Sequence, residues 1–92
     1  MTSNEVLSMY ETLAGLTGKM AGAARAGNME RLARLETQCV IQAAAAATGV
    51  PKLDGAPRLR KIDLLKQIMA HDRAIRAATE SQWKLDDVMA AH

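Results

Sequence analysis

Ala23-Ala24-Arg25-Ala26-Gly27-Asn28-Met29-Glu30-Arg31-Leu32 is the stretch on which the architecture turns. An apolar-periodic segment stops at a glycine, which tolerates the left-handed conformation after a helix end. It restarts at an asparagine, a favoured N-cap. A joint of two residues folds the helices on either side into an antiparallel hairpin. Upstream, Thr2-Ser3-Asn4-Glu5 has the spacing of a capping box. Val6, Met9, Tyr10, Leu13, Leu16, Met20 and Ala24 then recur at intervals of three and four, so a first helix is expected over about 3–26. Downstream, Met29, Leu32, Leu35, Cys39 and Val40 form the stripe of a second helix over about 29–48, which closes with five alanines, Ala43 to Ala47.

Gly49, Val50 and Pro51 make a stop signal. After a loop to about Pro57, a third helix over about 58–78 carries Ile62, Leu65, Ile68, Met69 and Ile75, with Leu59 and Leu64 widening its apolar surface. Thr79 and Gln82 repeat the capping-box spacing, which predicts a break and a short fourth helix over about 80–90 bearing Trp83, Leu85, Val88 and Met89. A helix that short depends on docking for its order. The expected fold is therefore all-α: an antiparallel bundle of three main helices plus a short C-terminal fourth. Residues 1–92 are expected to form a single domain, since a chain of this size supports one core.

Composition agrees. The chain is 49% hydrophobic, but eighteen of those residues are alanine, and Tyr10 and Trp83 are the only aromatics. A thin core of Ala, Leu and Met suits close-packed helices and not sheets, which favour Val, Ile and aromatics. Net charge is +2, with four basic and four acidic groups in residues 1–50 and eight and six in residues 51–92. A nucleic-acid module shows a denser basic stripe. The one concentration, Arg58, Arg60, Lys61 and Lys66, is diluted by Asp63 and reads as a solvated helix face. A single cysteine, Cys39, cannot close an intramolecular disulfide, and no signal-peptide pattern or apolar run of about 20 residues occurs. The expected compartment is the cytoplasm, without membrane insertion.

Cys39, His71 and His92 match no zinc spacing. Cys39, on the stripe of the second helix, reads as a small buried hydrophobe. His71 and Asp72 are adjacent on a helix and so do not face each other, which leaves His71 a surface histidine. Gly15, Gly18 and Gly22 fall inside the first helix, where they permit close helix contact rather than forming a phosphate loop. No enzyme activity, metal or cofactor is expected.

Asp72 interrupts the apolar stripe of the third helix, and Arg76 stands one turn on. Such a pair adds only a few tenths of a kcal/mol to a helix, so its value lies in recognition. The run Ile68 to Trp83, with Leu7 to Leu13, Ala23 to Leu32 and Leu35-Glu36, resembles in order and spacing the FliT family of flagellar type III export chaperones. The likeness extends from Val6 to about Met89. Met29 departs from it, since relatives often carry tryptophan there. The resemblance implies a chaperone that holds the filament-cap protein FliD by its C-terminal region, keeps it monomeric and delivers it to the export gate. It also implies contacts with FlhA, the export ATPase and, in some bacteria, the FlhDC activator. By the same analogy Leu65, Ile68, Met69, Asp72, Ile75 and Arg76 carry partner contacts, and Trp83, Leu85, Val88 and Met89 form a lid over them. Two other functions compete: a helical homodimer whose groove takes a second copy, and a regulator that contacts DNA through the Arg58 to Lys66 cluster.

Overall fold

Thr2 caps helix α1 (Ser3–Arg25). Its hydroxyl accepts from the Glu5 backbone N–H at 3.2 Å, and the Glu5 carboxylate accepts from the Thr2 N–H at 3.3 Å. These two bonds satisfy orphan donors of the first turn, and hydrogen bonding of the Glu5 carboxyl to the Thr2 side chain, then to the Thr2 backbone N–H, holds it below its ordinary range. The computed structural model describes the backbone of residues 1–90 and the side chains of residues 1–46 and 49–80.

At the first joint Gly27 takes a positive φ of 72°, and the Asn28 side chain accepts from the Arg31 N–H at 3.1 Å. Both residues do what their identities predict, and α2 (Met29–Ala44) follows. It ends four residues sooner than expected, because Ala45–Thr48 tighten into a 3-10 turn, a common way for a helix to finish. Gly49 then turns the chain with φ 102°.

Helix α3 (Gly55–Ala90) begins three residues before the expected start. Pro57 lies in its first turn, where the missing N–H breaks no helical bond. The expected break near Thr79 is absent, and one helix replaces the third and fourth. The Thr79 hydroxyl donates back to the carbonyls of Ile75 and Arg76, at 3.0 and 3.1 Å. That is the behaviour of a mid-helix threonine, not of a cap. At 36 residues the helix is about 54 Å long, which accounts for the molecule's longest dimension of 56 Å.

Helix α1 is the shared wall. Among the described residues α2 and α3 each pack along it and scarcely touch each other. Helix α3 runs in the direction of α1: the Lys61 ammonium lies over the Tyr10 ring at 5.8 Å, and farther along His71 reaches Thr17. With His71 level with Thr17, α1 ends opposite about residue 79, and α3 continues beyond the first joint for roughly 17 Å at 1.5 Å per residue. Among the described residues the buried side chains are Val6, Met9, Ala14, Ala21, Ala23 and Ala24 of α1, Leu35 of α2, Leu53 of the connection and Leu64 of α3.

Three expectations are corrected here. Leu64 is not surplus apolar surface; at 2% exposure it is the best-buried of the described side chains of α3. Val40 does not belong to the buried stripe of α2: it and Ile41 are each 64% exposed, because no helix closes on that side. Of the glycines inside α1 only Gly18 makes room for a neighbour. A Cβ there would meet His71 Cε1 at 3.3 Å, whereas nothing lies within 4 Å of one built at Gly15 or Gly22.

Candidate partner-binding face

Two seams run down α3, each stepping by alternating fours and threes. Side chains at that spacing stay on one face of a helix. The inner seam is Pro57, Lys61, Leu64, Ile68, His71, Ile75 and Ala78, all buried or half-buried. The outer seam is Arg58, Ile62, Leu65, Met69, Asp72 and Arg76, exposed throughout except at half-buried Leu65.

The six residues expected to meet a partner thus divide. Ile68 and Ile75 share the inner seam, which carries Leu64 into the core. Leu65, Met69, Asp72 and Arg76 lie together on the outer one. Met69 is 59% exposed. Beside it Arg76 Nε donates to Asp72 Oδ2 at 3.1 Å, with both side chains more than half exposed. The pair therefore presents a fixed donor and acceptor pattern while contributing little to stability. The side chains of the expected lid, Trp83, Leu85, Val88 and Met89, lie outside the described residues.

His71 is not the surface histidine the sequence suggests. It is half-buried over Gly18, and its Nδ1 lies 3.0 Å from Thr17 Oγ1. The same hydroxyl lies 3.1 Å from the Ala14 carbonyl, so it bridges the His71 ring and the α1 backbone. A small residue on α1 and a polar ring on α3 thereby fix how the two helices sit against each other.

The family model of the flagellar protein FliT matches residues 7–85. The chain belongs to the FliT family. No curated protein and no solved structure matches significantly. The FliT match takes in nearly all of α1, the whole of α2 and α3 as far as residue 85, so both seams lie within it. Membership makes the chain a flagellar protein with flagellar proteins for partners.

The upper end of the outer seam holds a feature that the sequence reading passed over. Lys52 and Leu53 of the connection face Arg58, Lys61, Ile62 and Leu65 across an open cleft of about 370 Å³. The clue available in the sequence was Leu53, an apolar residue set between Lys52 and Asp54 in the connection. The basic cluster around it is partly tied up. Arg60 pairs with Asp63 at 3.1 Å and lies 3.8 Å from Glu11 on α1.

Cys39 is half-buried between α1 and α2, its thiol 3.5 Å from the Met20 sulfur. Desolvation, and then the neighbouring Glu36 carboxylate, push its pKa up. A protonated thiol in apolar contact is a packing group and a poor nucleophile. Among the described residues no helix is long and apolar enough to cross a membrane.

Proposed function

We propose that this flagellar protein is an export chaperone that binds the C-terminal region of the filament-cap protein FliD and keeps it from assembling before export. The observation that carries the reading is the outer seam of α3: Ile62, Leu65 and Met69 with Asp72 and Arg76, presented on a helix whose neighbouring seam is already engaged by α1. An amphipathic client helix needs such a row, with apolar anchors to supply affinity and charges to set register. Each aliphatic anchor it covers contributes about 1.5 to 3 kcal/mol before ordering costs. Delivery to the export gate, through FlhA and the export ATPase, and contact with FlhDC in those bacteria that use it, complete the proposal. Since α3 is continuous through Thr79, restriction of access to the seam by the segment that carries Trp83, Leu85, Val88 and Met89 requires the helix to break there in the absence of client.

Calorimetric titration of the full chain with a peptide from the C-terminal region of FliD tests this. Binding is expected, and Met69→Lys should weaken it at least about tenfold, or 1.4 kcal/mol, with the circular dichroism spectrum unchanged. Failure of the folded protein to bind the peptide would remove the reading. A chain ending at Thr79 should bind more tightly; equal binding removes the restriction by the last turns and keeps the chaperone.

A further inference from the structure

The outer seam does not end as it continues. From Ile62 to Met69 it is apolar, but at its upper end it runs into the cleft where Lys52, Arg58 and Lys61 surround Leu53, Ile62 and Leu65. Among the described residues no carboxylate lies within ion-pair distance of these three cations. Arg60, the cation that does have carboxylates, is turned toward Glu11 and Asp63 instead. Lys61 is steadied by the Tyr10 ring, a weak contact that leaves its ammonium donors free. The result is a concave apolar floor under positive charge that no ion pair among the described residues engages.

We propose that this cleft receives the acidic end of an amphipathic protein segment whose apolar face continues down the outer seam to Met69. The inference rests on the reading of α3 as a partner-binding helix and specifies the chemistry and register of what binds there. Charge complementarity selects the occupant, since unpaired cations beside an apolar groove favour carboxylates next to apolar anchors. From Arg58 to Met69 the seam rises about 16 Å, so the matching segment is a helix of roughly three turns with carboxylates at one end. A membrane surface fits less well: recognition of acidic lipid by charge uses clusters of about four to eight Lys and Arg on a convex face, and here three cations line a hollow. A duplex needs a denser basic stripe.

The test uses the full chain and two synthetic capped helical peptides with the same leucine face. One carries glutamates in its terminal turn and the other glutamines. The glutamate peptide should bind at least about tenfold more tightly at low salt, with the advantage shrinking as salt is added. Lys52→Gln with Arg58→Gln and Lys61→Gln should abolish that preference, so that the two peptides bind the triple variant equally. Lys19→Gln with Arg31→Gln, a neutralisation at the α1–α2 face away from the cleft, should preserve it. Equal binding of the two peptides, no binding of the glutamate peptide, or a preference that survives the triple substitution would overturn the proposal. So would tighter binding to phosphatidylserine vesicles than to the glutamate peptide. A FliD peptide that fails while the glutamate preference holds removes the chaperone reading and keeps the cleft. A FliD peptide that binds equally well to the triple variant does the reverse.

Discussion

The two seams of α3 lie one residue apart in sequence and about 100° apart around the helix, yet they meet different worlds. The inner one seats Leu64 in the core and sets His71 over Gly18. The outer one holds Met69 and the Asp72–Arg76 pair in the open. The difference arises because α2 and α3 flank α1 without closing on each other, so α3 is packed on one side. Hydrophobicity does not distinguish the seams, since each carries at least three aliphatic or thioether residues. What distinguishes them is whether a neighbouring helix is present.

Leu64→Ala should break the inner seam most, lowering the unfolding free energy by about 3 kcal/mol in a denaturant titration. Met69→Ala should stay within about 0.5 kcal/mol. Similar losses from both would mean that the outer seam is core as well. Thr2→Ala strikes the wall on which the inner seam leans and should cost about 1 kcal/mol. Its effect carries a pH signature. Because the folded Glu5 carboxyl sits below its usual 4.5, the cap stabilises above that value and its contribution is lost as pH falls through the lower folded pKa. The melting temperatures of wild type and Thr2→Ala should therefore converge in acid.

The glycines sharpen the comparison further. Gly15→Ala, into open space, should stabilise α1 by about 0.5 to 1 kcal/mol. Gly18→Ala should gain less, since its Cβ must displace the His71 ring, and the deficit should vanish in a His71→Ala background. The smallest effect belongs to the outer pair: Asp72→Asn should change stability by only a few tenths of a kcal/mol while weakening the FliD peptide in calorimetry. A folding loss larger than its binding loss would assign the pair a structural role.

The parts of the fold written locally were legible. Thr2 with Glu5, Gly27 with Asn28, and Gly49 with Pro51 declare their helix ends within a few residues, because capping and turn chemistry are short-ranged. Thr79 misled for the same reason. Its spacing to Gln82 is that of a capping box, but a threonine inside a helix satisfies its hydroxyl on the preceding turn just as well. The division of the site was not legible, since Ile68 and Met69 differ only in which of them meets α1. Nor was His71, whose partners Thr17 and Gly18 lie more than fifty residues away on another helix. Exposure of Val40 follows from the same gap between α2 and α3, a tertiary fact with no local sign.

Four of the six residues that α1 buries are alanines. Alanine gives up no rotamer freedom on burial, and it has no alternative rotamer to adopt afterwards. A wall built from it cannot absorb a disturbance by letting side chains swivel. Pressure from a partner on the outer seam of α3 therefore reaches α1 undamped, and the helices answer by sliding or tilting as solid rods.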